Sequence, residues 1–150
     1  MSCEKLKQVL EVKPDNNCFA AATSAKEGGK KFSFLNRSNK NICCVHVDDC
    51  LITDKTIKKC DYFFAVNEDQ SYYLVEFKGI AVDEAIQQII NTYEIVNEKI
   101  KSDAQNFKGV IVSSSVPSAT EQRFRKLQER CFREKRLKII KTHIQHTEKI

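Results

Sequence analysis

The sequence has few glycines and prolines, no tryptophan and no long apolar run. Only 4 of its 150 residues are glycine and 2 are proline, which excludes collagen-like and low-complexity chains. No apolar stretch approaches the roughly 20 residues of a membrane-spanning helix. The opening residues, MSCEKLKQVLEV, carry charges where a secretory signal peptide is apolar. We therefore expect a soluble cytoplasmic protein without membrane association, and the length fits a single domain over residues 1–150.

Motifs typical of several enzyme classes are also missing. The chain has no GxxxxGK[ST] loop and no GxGxxG turn, so nothing indicates a nucleotide cofactor. The run Ser113-Ser114-Ser115 lacks the GxSxG pattern of a hydrolase nucleophile. The three histidines are scattered. The chemistry of the protein must therefore come from other side chains.

The seven cysteines do not indicate a disulfide framework, because their number is odd, no CxxC pair occurs and no export signal precedes them. A zinc site could be built from Cys43 or Cys44 with His46, Cys50 and Cys60. The spacing of these residues matches no common zinc module, however, and the segment alternates like a strand. We expect reduced thiols that fill core positions.

Periodicity and turn signals predict alternating helices and strands. Helical patterns cover residues 4–12, 83–101 and 118–135, and Gly28-Gly29 marks a turn. Strand-like runs include Phe32 and Phe34 and the ranges 42–51, 60–66, 71–78, 108–113 and 137–144. This order predicts an α/β, more specifically α+β layered, domain with a central mixed sheet flanked by helices.

The runs 60–66 and 71–78 are separated by only four residues, Asn67-Glu68-Asp69-Gln70, which favours a β-hairpin. Both runs are apolar on both faces. The hairpin is therefore expected at the centre of a sheet that is covered on each side.

Three charged side chains in this hairpin, Asp61, Glu76 and Lys78, indicate a catalytic site. A loop centred within residues 67–70 sets Asp61 directly opposite Glu76, with Cβ atoms roughly 4.5–5.5 Å apart, and places Lys78 on the same face. Two buried carboxylates need a positive charge between them, and oxygen ligands favour Mg²⁺ or Mn²⁺. Lys78 would then hold or polarise the water that acts as nucleophile. The alternative is a charged triad at the exposed end of a hairpin, in which Lys78 only neutralises Glu76.

The segments KKCDYFFAV and SYYLVEFKG resemble the active-site core of the PD-(D/E)XK nuclease superfamily, whose fold is called restriction-endonuclease-like. In that superfamily an Asp begins one strand, and an acid-x-Lys motif follows on its hairpin partner. The resemblance covers residues 45–115 and implies that Asp61 and Glu76 bind the metal with help from the carbonyl of Phe77. It also implies that Lys78 is the catalytic lysine. Cys60 stands where many members have proline.

The resemblance suggests further site residues outside the hairpin. Members of the superfamily often place a glutamine near the active site in the following helix, where this chain has Gln88; the alternative is an ordinary polar position beside the isoleucine stripe. Tyr93 is expected in the core. Many members add an acid from the first helix, for which Glu11 is the first candidate and Glu4 the second. Asp48 is another candidate acid, although a turn position is preferred for it.

Positive charge is concentrated in the last thirty residues. Residues 121–150 contain ten basic and four acidic side chains, whereas the rest of the chain has a net charge of −1. This distribution suits contact with phosphate backbones. A solvated helix face with many ion pairs explains it equally well.

These observations predict a metal-dependent nuclease that hydrolyses phosphodiester bonds of nucleic acid, with DNA favoured over RNA, and that uses Mg²⁺ or Mn²⁺. A small catalytic domain needs a second copy or a partner to cut both strands, so we expect a homodimer or a larger complex. The alternative is a non-catalytic module of the same fold that binds nucleic acid or protein.

Overall fold

The computed structural model describes residues 2–66 and 69–150, which form helices and strands in three layers. The helices are α1 (Cys3–Val9), α2 (Val82–Ile100) and α3 (Ser118–Lys135), and a 3₁₀ turn covers Ala104–Asn106. The strands are β1 (Phe19–Ala21), β2 (Ser24–Glu27), β3 (Lys30–Leu35), β4 (Ile42–His46), β5 (Tyr62–Val66), β6 (Ser71–Lys78), β7 (Phe107–Ser113), β8 (Lys138–His143) and β9 (Gln145–Lys149).

The large sheet is mixed and has the order β1-β4-β5-β6-β7-β8. Its first four strands are antiparallel, whereas β6, β7 and β8 run parallel to one another. Parallel strands need a crossover, and α2 and α3 supply the two crossovers. A smaller sheet has the order β2-β3-β9. The β5–β6 hairpin therefore lies at the centre of the large sheet, as the sequence predicts.

Both faces of the large sheet are covered, which confirms the predicted α+β layered class. Side chains of all three helices pack on one face, with Leu6, Ile89 and Phe124 among them. The small sheet covers the other face, where Phe32 and Phe34 contact the large sheet. The second cover is thus a sheet and not the helical layer that the sequence suggests. Its strands β2 and β9 are too short and polar to give a strand signal.

The two long helices have the bounds that their patterns predict to within one residue. Pro117 precedes α3, where proline is compatible with a helix start, and Arg136 ends it with a φ of 60°. The loop of the central hairpin includes residues 67 and 68, which lie outside the described residues. Among the described residues, no helix combines the length and the apolar character required to cross a membrane.

The expectation that the cysteines are reduced is wrong for four of them. Cys3 is bonded to Cys43, and Cys18 to Cys50. Both bridges tie the N-terminal segment to β4 or to the turn after it, across separations of 40 and 32 residues. Sequence spacing does not encode such pairing, because it depends on which distant segments the fold brings together.

Candidate functional site

The central hairpin brings Asp61 and Glu76 together as predicted. Tyr62 lies opposite Val75 in the last residue pair of the antiparallel β5–β6 ladder, and Asp61 directly precedes this pair. The N–H group of Asp61 donates to the carbonyl of Val75 at 3.1 Å. A hydrogen bond between the two carboxyl groups changes the pKa of each. Each carboxyl group therefore affects the ionisation of the other.

Glu76 is the most unusual charged side chain of this pair, because only 3% of it is exposed. Its Oε1 has no hydrogen-bond partner among residues 2–66 and 69–150, and its Oε2 lies 3.8 Å from Nζ of Lys78. Burial and the neighbouring Asp61 raise the pKa of Glu76 to about 9, against the opposing influence of Lys78 and Gln88. Burying such an acid costs free energy. Acids with a strongly raised pKa occur mainly at functional sites.

Asp61 is held from the opposite strand. Its Oδ2 accepts a hydrogen bond from the N–H group of Phe77 at 2.8 Å. Burial raises the pKa of Asp61, whereas the N–H group of Phe77 and the hydrogen bond from Glu76 lower it. The phenyl ring of Phe77 packs on the opposite face of the sheet, towards the small sheet. The part that the Phe77 carbonyl plays as a ligand stays a prediction.

Lys78 and Gln88 are in direct contact. Nζ of Lys78 donates to Oε1 of Gln88 at 2.9 Å, and Nε2 of Gln88 donates to the carbonyl of Lys59 at 3.1 Å. The amide of Gln88 thus connects the lysine of β6 to the segment before Asp61. Gln88 therefore makes two hydrogen bonds to the site and its neighbouring segment, unlike an ordinary polar residue beside the isoleucine stripe. Tyr93 instead packs against Phe107 in the core, as expected.

Two acids near the site are harder to recognise in the sequence. Asp48 lies in the turn after β4, with its Oδ1 3.9 Å from Nζ of Lys59, and its charge raises the pKa of Asp61. Glu27 comes from the small sheet; its own pKa is raised by burial and by the charges of Asp61 and Asp48. The β2–β3 hairpin approaches the site only because the small sheet packs on the large one, and sequence periodicity does not report such packing.

Neither candidate from the first helix belongs to the site. Glu11 follows α1, and its carboxylate pairs with Nζ of Lys99 at 2.6 Å. Lys99 lies eleven residues beyond Gln88 on α2, which is about 16 Å along the helix axis. Glu4 is exposed and lines a separate cavity between α1 and the loop after β3. The short α1 is directed by the Cys3–Cys43 bridge towards β4, so its acids lie elsewhere.

The zinc alternative is wrong. Cys43 and Cys50 are consumed by disulfides, and the free thiols of Cys44 and Cys60 lie in the cores on opposite faces of the large sheet. Cys44, Cys60 and Cys131 are buried, as the core interpretation predicts. Within residues 2–66 and 69–150, no group of three or more His, Cys, Asp and Glu side chains is arranged to hold a metal.

Among the described residues, the predicted donors for a metal are the carboxyls of Asp61 and Glu76 and main-chain oxygen. Glu76 offers a buried oxygen that has no partner among the described residues, and Asp61 offers a second carboxyl that interacts with it. A divalent cation would stabilise the ionised forms of both carboxyls, and hard oxygen donors suit Mg²⁺ or Mn²⁺. The donor set of Asp61 and Glu76 therefore fits the expected ion.

Many cations of α3 and β8 are already paired. The ion pairs are Arg123–Asp83, Arg125–Glu121, Arg130–Glu134, Lys135–Glu94 and Lys141–Glu121. For these five basic residues the structure favours the alternative of a solvated, ion-paired surface. Lys126, Arg133 and Lys138 have no acidic partner within the described part of the chain, and they remain available to phosphate groups.

Comparisons of the chain with protein-family models, with curated proteins and with solved structures found no match. The resemblance to the PD-(D/E)XK superfamily therefore rests on the hairpin motif of the sequence and stays a prediction.

Proposed function

We propose that the protein is a metal-dependent nuclease of the PD-(D/E)XK type that hydrolyses phosphodiester bonds of nucleic acid, with DNA as the favoured substrate. The observation that carries the proposal is the buried Glu76. It interacts with Asp61, has an oxygen without a hydrogen-bond partner among the residues that the structure describes, and lies 3.8 Å from Nζ of Lys78. This combination is costly for a structural ion pair, and it suits a site that binds a hard cation.

Each residue has a distinct role in the proposed reaction. Asp61 and Glu76 would hold the cation, with the Phe77 carbonyl as a further oxygen donor. A bound Mg²⁺ or Mn²⁺ would stabilise negative charge on the scissile phosphate and lower the pKa of the attacking water. The Lys78 amine would orient that water, and Gln88 would hold the amine through the 2.9 Å hydrogen bond. The unpaired cations of α3 and β8 would contact the phosphate backbone without reading sequence.

The proposal is tested with end-labelled single-stranded and double-stranded DNA and RNA, incubated with Mn²⁺ or with chelator. We expect Mn²⁺-dependent cleavage of DNA by the wild-type protein. Lys78→Ala should still bind DNA but should cut it about 100-fold more slowly or worse, because it lacks the group that orients the water.

Lys5→Ala provides the control, because Lys5 is exposed on α1. This variant should cleave DNA like the wild type. Undiminished cleavage by Lys78→Ala would remove the proposed mechanism. If the wild-type protein binds DNA but never cuts it, the non-catalytic binding module is the correct function.

A homodimer or a larger complex follows from the proposal, because one small catalytic domain has one site for two strands. Light scattering with and without duplex DNA measures the mass. A monomer that nicks only one strand would contradict this part of the proposal.

The cytoplasmic location also belongs to the proposal, and the two disulfides count against it, because such bonds persist mainly in oxidising compartments. Fractionation of the source cells, with immediate alkylation of free thiols, decides the question. Recovery of the protein outside the cytoplasm would correct the location and leave the chemistry unchanged.

A further inference from the structure

The segment that precedes Asp61 is held by α2 through three successive main-chain groups. Nδ2 of Asn91 donates to the carbonyl of Lys58 at 3.0 Å, and Nε2 of Gln88 donates to the carbonyl of Lys59 at 3.1 Å. The N–H group of Cys60 donates to Oγ1 of Thr92 at 2.9 Å. Neighbouring turns of one helix thus fix residues 58–60, directly before the carboxylate. We call these three hydrogen bonds the α2 clamp.

The clamp is needed because residues 58–61 lie outside the β-ladder. Strand β5 begins only at Tyr62, so the regular strand pairing does not fix the backbone before it. Asp61 itself is held on both sides, since its N–H group donates to Val75 and its carbonyl accepts from the N–H group of Val47 at 2.9 Å. The clamp supplies the remaining restraint on the direction from which the chain enters Asp61.

Thr92 is the buried member of the clamp. None of its surface is exposed, and the same is true of Cys60. The Thr92 hydroxyl accepts from the N–H group of Cys60 and donates to the carbonyl of Gln88 at 2.9 Å. Without this hydroxyl a buried N–H group would be left without a partner, which is costly inside a protein. A threonine in the apolar stripe of a helix is therefore explained by the partner it holds.

We propose that Thr92 is a positioning residue for the catalytic pair, which sets the Asp61 carboxylate opposite Glu76 through the main chain of Cys60. The inference rests on the proposed function, because it assigns Thr92 a task in that same site. Loss of the hydroxyl would let the 58–61 segment shift. Displacement of catalytic groups by about 1 Å is sufficient to lower a rate 100-fold.

The test compares Thr92→Val, which keeps the shape of the side chain without its hydroxyl, with Thr92→Ser, which keeps the hydroxyl. Hydrogen exchange of the Cys60 amide in the metal-free protein reports on the clamp directly. We expect fast exchange in Thr92→Val and slow exchange in Thr92→Ser. This measurement needs no activity, so its outcome is separate from that of the nuclease proposal.

The second readout is the Mn²⁺-dependent cleavage of DNA. Thr92→Val should lower kcat by about 10- to 100-fold and weaken Mn²⁺ binding, with KM for DNA unchanged because Thr92 is buried away from the nucleic acid. Thr92→Ser should retain most of the activity. Thr142→Val is the matched control: Oγ1 of Thr142 has no hydrogen-bond partner in the described residues, so removal of this hydroxyl should change neither readout.

Wild-type kcat and Mn²⁺ affinity in a folded Thr92→Val protein would overturn the inference, as would equal losses in Thr92→Val and Thr92→Ser. If Thr92→Val does not fold, Asn91→Ala replaces it, because this change removes the clamp bond to Lys58, which is exposed to solvent. Asn91→Ala should lower kcat several-fold with unchanged KM, and unchanged kcat would overturn the inference. A wild-type protein without cleavage or Mn²⁺ binding would contradict the nuclease proposal, while the exchange measurement would still test the clamp.

Discussion

Glu76 lies inside the protein with few interactions that stabilise its ionised form. Its Oε1 has no hydrogen-bond partner in the described part of the chain. Its Oε2 lies 3.8 Å from the Lys78 ammonium, which is longer than a direct charge-assisted hydrogen bond. The raised pKa of Glu76 expresses the same imbalance, with burial as its main cause. The free energy lost in burying this group is what a bound cation would recover.

Glu76→Gln should therefore stabilise the metal-free protein. The raised pKa of Glu76, about 9, means that this carboxyl must take up a proton when the protein folds at neutral pH, which costs stability. The neutral amide has the same shape and needs no proton, so we expect the free energy of unfolding in chelator to rise by about 1–3 kcal/mol. Mn²⁺ should raise the melting temperature of the wild type but not of the variant, because ligands stabilise the state that binds them. Calorimetry with and without Mn²⁺ measures both effects.

Glu4→Gln is the control for this change, because Glu4 is an exposed acid outside the site. It should leave both measurements as in the wild type. A Mn²⁺-induced shift of wild-type size in Glu76→Gln would show that Glu76 does not bind the ion.

At the scale of the elements, α2 joins the core to the site. One side of α2 packs on the sheet through Ile86 and Ile89. Gln88 of the same helix contacts Lys78, and Thr92 contacts the segment before Asp61. Gly109 of β7 allows this close approach: a Cβ there would lie 2.8 Å from Cγ2 of Ile89 and 3.0 Å from Cγ1 of Ile139. The close packing of α2 on the sheet therefore requires a residue without a side chain at position 109.

Gly109→Ala should push α2 away from the sheet. We expect a loss of about 1–3 kcal/mol in the free energy of unfolding, as is typical of overpacked cores, together with a lower kcat because Gln88 and Thr92 move with the helix. Chemical denaturation and cleavage assays measure the two effects.

Gly79→Ala is the matched control, since a Cβ at Gly79 would have no atom within 4 Å. Its free energy of unfolding should stay within about 0.5 kcal/mol of the wild-type value. Equal stability of the Gly109→Ala and wild-type proteins would mean that α2 and β7 accommodate the methyl group without cost.

The elements differ in how well the sequence predicts them. The sequence predicts α2, α3, β5 and β6, because each carries a long periodic or continuous apolar pattern. It does not predict β1, β2 and β9, which have three to five residues and mostly exposed positions. Their strand conformation comes from hydrogen bonds to β4 and β3, and local side-chain preference adds little to it.

At the scale of the whole molecule, the large sheet separates two cores, and two disulfides fasten the N-terminal segment beside one of them. Cys3, Cys18, Cys43 and Cys50 all adjoin the core on the helical face. Bridges that span 40 and 32 residues restrict the unfolded chain and so favour the folded one.

Reduction of the two disulfides should lower the free energy of unfolding by about 2–4 kcal/mol for each bridge. Thiol titration of the unfolded, unreduced protein should detect three cysteines and, after reduction, seven. A Cys3→Ser/Cys18→Ser double variant should be insensitive to reductant. Titration of seven thiols without reduction would show that all the cysteines are reduced, as the sequence predicts.

The sequence by itself determines the central hairpin, its register and the meeting of Asp61, Glu76 and Lys78, because strand alternation and a short loop are local properties. The resemblance to the PD-(D/E)XK superfamily also suggests Gln88 as a site residue. Tertiary structure alone decides the small sheet, the disulfide partners and the approach of Glu27, since each joins segments that are distant in the chain. The same holds for the bond between Thr92 and Cys60: their contact arises only when α2 packs on the sheet, which no local pattern records.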